Sequence, residues 1–224
     1  MSGTYILRKG HAQLSDLVDG SGLGYPGPLY PGKNYYVNNY TGSAGASGES
    51  WGDAMDQVSV AITASEAHQA THESGNQAIF NNIYVQGTNT VYTGITDTGE
   101  RSNFVGVSAG TMMDGGSGQV RIGSGTDGDG CLDDSNSRGN SWYNLQFIYG
   151  AAGHWGFKNS AWIQRSRFTE VTFMQAASGA AGCFNAVGMS GTIIERCQFV
   201  SNSGGTQATY GLYTTGQTLS LIHI

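Results

Sequence analysis

The chain has 224 residues, of which 36 are Gly and 3 are Pro, and its formal net charge is −6 with ten Lys and Arg. At 38% hydrophobic and 12% charged it is too apolar for a disordered chain, the Gly residues follow no collagen period, and no stretch approaches the ~18 apolar residues of a membrane-spanning helix. The few basic residues are scattered, which argues against nucleic acid as a partner.

An irregular arm is predicted at the start of the chain. Residues 1–33 are Gly-rich, contain all three Pro and hold no apolar stretch typical of a secretory signal. A first strand is predicted at 33–37, followed by a loop at 38–49. The main domain is then expected to run over 34–218.

A helix is predicted over about 51–72. Ser50 is a favourable N-cap residue, and with Asp53 three positions later the pattern resembles a capping box. Met55, Val58 and Ile62 recur at helical spacing and form one apolar face. We expect this helix to cover the open edge of the first strand layer, which would otherwise be unpaired.

A sequence repeat dominates the second half of the chain. It is carried by three ungapped segments at a constant step, 142–147, 168–173 and 194–199. A constant step with one apolar-x-apolar pair per unit predicts stacked β-coils, because each unit is too small to bury a core alone. Stacking would put Leu145 over Val171 over Cys197 at a strand spacing of about 4.8 Å.

The residues between the apolar positions predict an outer ladder at one corner. Asn144, Glu170 and Arg196 are expected to point outward, with Glu170 and Arg196 as neighbours worth about 0.5 kcal/mol. The parity between Trp142 and Leu145 predicts a corner or bulge between them. Earlier in the chain, the pairs Ile83/Val85 and Val105/Val107 suggest a step of 22, and 120–122 is either an extra short strand or part of an enlarged coil.

The last six residues, Leu-Ser-Leu-Ile-His-Ile at 219–224, match the translation of a transposon end used in sequencing adapters. We therefore interpret them as an adapter artefact and leave them out of the fold prediction. This interpretation predicts a C-terminally truncated domain.

Four short motifs carry a family resemblance: Gly-Lys-x-Tyr-Tyr-Val at 32–37, Thr-Gly-Ser at 41–43, Ser-Trp-x-x-Ala at 50–54 and Ile-Tyr-Val at 83–85. Together with the Gly-rich coils that follow, they resemble right-handed parallel β-helix proteins of the pectate-lyase-like superfamily, most closely the phage virion-associated, tail-spike-like branch. The resemblance implies an all-β, right-handed parallel β-helix with an N-terminal capping helix.

The same resemblance implies a function in a phage particle. The chain would be a structural or receptor-recognition component of the virion, made in the host cytoplasm, that contacts host surface polysaccharide. The arm at 1–33 would attach it to other virion proteins, and homotrimers are common among such spikes. The alternative on the same fold is a polysaccharide depolymerase, either a lyase or a glycoside hydrolase. A bacterial surface adhesin is disfavoured because no signal peptide is evident.

The densest acidic stretch, 127–134, offers two kinds of chemistry. Asp127, Asp129 and Asp133 could supply oxygen ligands to Ca²⁺ from a flexible loop, with a solvated turn as the alternative. Asp133 and Asp134 resemble the paired carboxylates of β-helix polysaccharide hydrolases, and His154 is the nearest His. No Arg-x-Lys follows, which departs from the hydrolase pattern. Arg165 and Arg167 could supply the Arg base of a lyase, but a matching acidic ladder is missing.

Two tryptophans are candidates for stacking on sugar rings. Trp155 and Trp162 present an apolar ring face of the kind that packs on a pyranose, and Tyr143 and Tyr149 are weaker candidates. Filling coil corners or a subunit seam is the alternative for all four. His68 and His72 are interpreted as surface residues without a third metal ligand. Cys183 and Cys197 are interpreted as small apolar residues.

Overall fold

The computed structural model describes residues 32–72, 79–108, 119–123, 130–133, 137–149, 153–175, 182–201, 210–218 and 221–223. Within these ranges the chain is mostly β, as predicted, with parallel sheets and one α-helix. The helix, α1, spans Val58–His72 and follows a single 3₁₀ turn at Trp51–Asp53. The arm at 1–31 lies outside the described residues.

Sixteen strands are present in the described ranges, most of them short. In chain order they are β1 Asn34–Val37, β2 Asn81–Gln86, β3 Ser102–Val107, β4 Val120–Ile122, β5 Cys131–Asp133, β6 Ser137–Arg138, β7 Ser141–Tyr143, β8 Leu145–Tyr149, β9 Trp155–Gln164, β10 Arg167–Thr169, β11 Thr172–Gln175, β12 Gly182–Ser190, β13 Ile193–Glu195, β14 Gln198–Ser201, β15 Tyr210–Thr218 and β16 Leu221–His223.

These strands form three sheets in which the described pairs are parallel. The first sheet has the order β1-β2-β3-β7-β10-β13-β16, the second β4-β8-β11-β14, and the third β5-β9-β12-β15, with β6 also paired to β9. From β7 onward the chain visits the first, second and third sheets in turn and then repeats that order. Each complete round therefore adds one strand to each of the three sheets.

The predicted register of the repeat is confirmed. In the second sheet Phe147, Phe173 and Phe199 are direct partners on consecutive strands. Thr172 pairs with Gln146 on one side and with Gln198 on the other. The same register, one residue earlier, puts Val171 between Leu145 and Cys197, and all three are buried. The hydrogen bond of 3.0 Å from the Gln198 amide to the Val171 carbonyl continues this alignment.

The last strand falls in the segment that we interpret as an adapter artefact. β16 pairs with β13, with Ile194 opposite Ile222. An open sheet edge accepts a short apolar segment of many sequences, so this pairing is compatible with either origin of the segment. The adapter interpretation and the truncation stay predictions.

Each sheet contributes one inward column that is rich in aromatic side chains. The three columns are Ile83-Phe104-Trp142-Phe168-Ile194, Ile122-Phe147-Phe173-Phe199 and Cys131-Phe157-Phe184-Leu212. Within a column the rings stack, as Phe147 on Phe173 at 5.8 Å and 8°. Between columns they meet edge to face, as Phe157 against Phe173 at 6.1 Å and 80°. Both geometries suit the aromatic quadrupole, so the centre is specifically packed.

The predicted corner is present, with one correction. Asn144, Glu170 and Arg196 all adopt left-handed backbone conformations, with φ of 52°, 55° and 50°. Arg196 lies 3.2 Å from Glu170, as predicted. The prediction that Asn144 points outward is wrong, because its side chain is buried and donates to the Gly106 carbonyl at 3.1 Å. The Gly106 carbonyl of the preceding strand layer is a buried acceptor, and the Asn144 side chain bonds to it instead of to water.

The predicted step of 22 is also wrong, by one residue. Ile83 pairs with Phe104, and Val85 pairs with Gly106. Because side chains alternate along a strand, this slip puts Phe104 in the core and turns Val105 and Val107 to the outer face. The open question about 120–122 is resolved, since β4 is a short strand whose Val120 pairs with Leu145.

The helix begins later than predicted. Its capping residue was expected to be Ser50, but Ser50 makes no side-chain cap hydrogen bond and the chain extends again after the 3₁₀ turn. Met55 instead exchanges backbone hydrogen bonds of 2.9 and 2.8 Å with Tyr36 and Asn38. The unpaired edge of β1 competes for these groups and gains more from them than a longer helix would.

The prediction that the helix covers the first layer is confirmed for its apolar face. Val58 and Ile62 of α1 are buried in the same cluster as the strand residues Tyr35 and Ile83, and Met55, which lies before the helix, is buried with them. Two polar helix residues, Ser65 and Gln69, are buried on the same side. The Gln69 amide donates to the Ile79, Glu100 and Arg101 carbonyls at 2.9–3.2 Å, so the helix satisfies backbone groups as well as covering apolar ones.

A row of buried polar side chains lies at the start of the strands of the first sheet, and we call it the polar ladder. Asn81, Ser102, Asn140, Ser166 and Thr192 precede or begin the strands of the first sheet and are all buried. Asn140 is among the most connected: its side-chain amide donates to the Thr98 and Gly99 carbonyls and to the Ser137 hydroxyl, and its side-chain oxygen accepts from the backbone amide of Ser102 at 2.9 Å. These side chains satisfy the backbone where the chain turns into the first sheet.

Candidate functional site

The structure separates the acidic residues singled out by sequence. Asp127, Asp129 and Asp134 lie outside the described residues. Asp133 lies in β5 rather than in a turn, pairs with Asn159 and is fully buried. Its carboxylate accepts hydrogen bonds from the amide and the hydroxyl of Thr98. A polymeric substrate therefore cannot touch Asp133 in this conformation.

Asp133 is one of three carboxylates near Glu66, a residue that the sequence pattern does not single out. Glu66 projects from α1, and its pKa is raised by burial first and then by the charges of Asp97, Asp133 and Glu100. Arg138 lies 3.8 Å from Glu100 and offsets part of this negative charge. Among the described residues, no three His, Cys, Asp or Glu side chains are grouped to hold a metal ion. These carboxylates come from separate parts of the chain, so the sequence alone does not indicate that they lie close together.

The first candidate tryptophan is largely covered. Trp155 begins β9, directly after the partly exposed His154, and only 8% of its surface is accessible. The rings of Tyr210 and Tyr213 lie 6.3 and 6.1 Å from it. The accessible rings at this end of the third sheet are therefore those two tyrosines, which are 46% and 38% exposed.

The second candidate tryptophan lies flat on the outer face of the third sheet. Trp162 pairs with Gly188 on β12, which pairs with Gly216 on β15. A Cβ on Gly188 would lie 2.6–2.7 Å from three atoms of the indole, and this near-equality places the ring parallel to the sheet. Trp162 is still 39% exposed, so one ring face rests on the glycines while much of the remaining ring surface is open to solvent.

Polar residues lie between the two aromatic positions. Lys158, Asn185 and Tyr213 are partners on adjacent strands, and Lys158 points to the same outer face as Trp162. An accessible indole, a row of hydrogen-bonding groups and one cation are the contacts that a sugar with hydroxyl or acidic groups requires. We call this surface, comprising Trp162, Gly188, Gly216 and the Lys158 row, the indole platform.

Sequence reasoning found the ring of this platform but not its support. Gly188 follows Trp162 by one full repeat, which is a detectable signal. The pairing in the third sheet masks this signal. Phe157 pairs with Phe184, one residue further along the chain than the repeat predicts, and a bulge between Ala186 and Gly188 then restores the step of the repeat. A search for a constant step cannot detect such a shift.

The remaining candidate residues lie on or beside helix α1 and the three sheets. All three cysteines are unbridged and buried, and burial raises the pKa of Cys183 and of Cys197 to about 11. His68 lies beside the first sheet, with its Nδ1 3.0 Å from Asn81 Oδ1. Arg165 and Arg167 are exposed at the turn between the third and first sheets. Tyr143 is 42% exposed on the outer face of the first sheet, while the side chain of Tyr149 lies outside the described ones.

Comparisons with protein-family models, curated proteins and solved structures gave no match. In the described part of the chain, no helix combines the length and apolar character needed to cross a membrane.

Proposed function

We propose that the chain is a right-handed parallel β-helix that serves as a structural and receptor-recognition component of a phage particle, and that it contacts host surface glycan through the indole platform. The single observation that carries the glycan contact is Trp162, which lies flat on Gly188 and keeps much of its ring accessible. The virion assignment is carried by the family resemblance of the motifs between 32 and 85.

Two features support the β-helix. The chain returns to each sheet in a constant order, and each return adds a parallel strand. Crossover connections between parallel strands of one sheet are right-handed in about 98% of cases. Without β16, which lies in the segment interpreted as an adapter artefact, six strands of the first sheet about 4.8 Å apart give a shaft of roughly 24 Å. A body of this kind suits a stiff spacer, with the N-terminal arm attached to other virion proteins and homotrimers as the expected assembly.

The experiment is a binding measurement on an array of bacterial surface polysaccharides, with the full chain and three variants. Trp162→Ala removes the ring, and we expect binding to fall about tenfold or more, the equivalent of about 1.4 kcal/mol. Gly188→Ala keeps the ring but adds a methyl group 2.6 Å from it, so it should displace the indole and weaken binding similarly. Gly216→Ala is the matched control, because its new Cβ would contact the ring at an ordinary 3.7 Å.

Equal binding by all four proteins would refute the indole platform as a glycan site. A change in oligomeric state in Trp162→Ala, without a change in binding, would identify the ring as part of a subunit seam instead. Each protein should therefore also be run by size-exclusion chromatography with light scattering.

A second candidate function, polysaccharide depolymerase, is favoured by Glu66. A carboxyl whose pKa is raised beside other carboxylates is suited to donate a proton to a glycosidic oxygen. The full burial of Asp133 weighs against this candidate. Release of reducing ends or unsaturated products from the bound polysaccharide, abolished in Glu66→Gln, would establish it. Ca²⁺ should be included in the assay, because a Ca²⁺ site involving Asp127 and Asp129 stays a prediction.

A further inference from the structure

A second surface of the molecule carries an interrupted column of aromatic side chains. On the outer face of the first sheet, Tyr36 pairs with Tyr84, Tyr84 with Val105, and Val105 with Tyr143. The rings of Tyr36 and Tyr84 stack at 5.4 Å and 21°. The column thus has aromatic rings on the strands to either side of Val105, but an aliphatic side chain at Val105 itself.

The interruption leaves room for one flat group. Tyr84 and Tyr143 are two strand spacings apart, about 9.6 Å, so a ring above Val105 would lie about 4.8 Å from each of them. That is close to the separation at which Tyr36 and Tyr84 already stack. Tyr143 is 42% exposed and Val105 is partly exposed, so the gap opens to solvent.

A row of amides runs beside the gap. Asn34, Asn82 and Asn103 are direct partners on β1, β2 and β3, and they lie on the same face as the aromatic column. Asn82 donates to Asn34, and Asn103 donates to Asn82, both at 2.9 Å. Each of these bonds uses one of the two protons on a donating Nδ2, which leaves the second proton of Asn82 and of Asn103 for another acceptor.

We propose that this gap, walled by Tyr84 and Tyr143, floored by Val105 and flanked by Asn82 and Asn103, binds one sugar ring of an uncharged glycan. A pyranose has apolar faces for the two phenol rings and hydroxyls at its edge for the amides.

The charge around the gap favours a neutral sugar. The walls, floor and flanks are uncharged side chains, so an acidic sugar would gain no ion pair from them. Two ion pairs lie near the ends of the aromatic column: Lys33 with Glu49 at 3.0 Å and Arg196 with Glu170 at 3.2 Å. In each pair the two charges neutralise one another. The indole platform differs in this respect, because Lys158 is present there.

The gap uses a different sheet and different residues from the indole platform, so the proposal stands or falls separately from the proposed function. The decisive variant is Val105→Tyr, which completes the column with the protein's own ring. Tyr is favoured in strands and on the outer face of a sheet, so this variant is expected to fold. Val105→Ala is the matched control, because it keeps the gap open.

The test is a panel of immobilised polysaccharides, with dextran, galactomannan and xyloglucan as neutral probes and alginate and hyaluronan as acidic probes. We expect the full chain and Val105→Ala to bind at least one neutral probe, and Val105→Tyr to bind it about tenfold more weakly or not at all. Val105→Tyr should weaken this binding in the Trp162→Ala background as well, because the gap lies on the first sheet and Trp162 on the third.

Three outcomes would overturn the proposal: no binding to any neutral probe, equal binding by Val105→Tyr and the unmodified chain, or binding of acidic probes alone that depends on Val105. Circular dichroism and thermal melting of each variant confirm that the comparison is made between folded proteins. Binding lost in Trp162→Ala but retained in Val105→Tyr would support the indole platform and reject the gap.

Discussion

The regular part of the molecule, from Asn140 to Ser201, and the N-terminal part, from Lys33 to Val107, share sheets but are held together differently. In the regular part each strand repeats its neighbour, so identical positions stack and the core consists of aromatic columns. In the N-terminal part the steps between partners are unequal, 48 from Asn34 to Asn82 and 21 from Asn82 to Asn103, and a helix closes the first layer. Repetition supplies packing along the stack, whereas the end of a stack needs a separate device to satisfy its edge.

The largest expected effect is in the regular part. Phe173 is fully buried, stacks with Phe147 at 5.8 Å and Phe199 at 5.3 Å, and meets three further rings edge to face. Phe173→Ala should lower the free energy of unfolding by about 3–5 kcal/mol, measured by urea denaturation. Ile62→Ala, in the helix that covers the first layer, is the comparison at about 2–5 kcal/mol. A loss below about 1 kcal/mol for Phe173→Ala would show that the columns are not the main source of stability.

The second effect concerns the polar ladder that both parts share. Asn140→Ala removes three donated hydrogen bonds and one accepted one, and leaves buried carbonyls and an amide unpaired at about 1–3 kcal/mol each. We expect a total loss of about 2–4 kcal/mol, because the contributions of hydrogen bonds in one network are not additive. Ser166→Ala removes fewer bonds and should cost about 1 kcal/mol. If the two variants are equally stable, the hydrogen bonds from Asn140 to Thr98, Gly99 and Ser102 do not stabilise the contact between the regular and N-terminal parts.

A smaller effect should appear at the corner of the regular part. A double-mutant cycle with Glu170→Ala and Arg196→Ala should give a coupling energy of about 0.2–1 kcal/mol, since the pair is partly exposed. The coupling should decrease at molar salt concentration. A coupling of zero at low salt would show that the ladder at this corner is incidental.

The smallest effect is a pH dependence at the helix of the N-terminal part. The pKa of Glu66 is raised in the folded protein, so folding favours its protonated form and the stability from this group decreases as pH rises from its ordinary pKa through the raised one. Glu66→Gln should therefore stabilise the protein at neutral pH, and this gain should vanish at low pH.

Asp53 provides a control of opposite sign. Hydrogen bonds from the Ser47 side chain and backbone lower the pKa of Asp53, so its contribution to stability is present at neutral pH and is lost as pH falls through the lowered value. Asp53→Asn should accordingly be less stable than the unmodified chain at neutral pH. Thermal melting of both variants from acidic to neutral pH checks the two signs, and the same sign for both would contradict the account.

The fold could be predicted best where the repeat is strict. The pairs among Leu145, Val171 and Cys197, and among the three phenylalanines of the second sheet, could be predicted directly because one register serves two sheets. Prediction failed where a single residue shifts the register, as between Ile83 and Phe104, because alternation then exchanges the inner and outer faces. The start of α1 was mispredicted because local capping signals carry no information on the edge of β1.

The candidate sites were harder to predict than the fold. Trp162 was found as a type of residue, but its orientation depends on Gly188, a partner on another strand. The gap over Val105 is defined by residues from three separate strands, β2, β3 and β7. Asp133 was selected for its acidic neighbours in sequence, yet its strand places it in the interior. Chemistry can be inferred from residue types, whereas exposure is set by pairing.

The central claim is that successive strands of the repeat lie on one another in register, and disulfide formation tests it most directly. Ser141 and Arg167 are partners on adjacent strands, so their Cα atoms are about 4.8 Å apart, within the range that a disulfide can span. The double variant Ser141→Cys/Arg167→Cys should cross-link on mild oxidation, as seen by peptide mass spectrometry, while Ser141→Cys/Thr169→Cys, in which the second position is shifted along β10, should not. A cross-link in the shifted pair and none in the matched pair would contradict the stacked register.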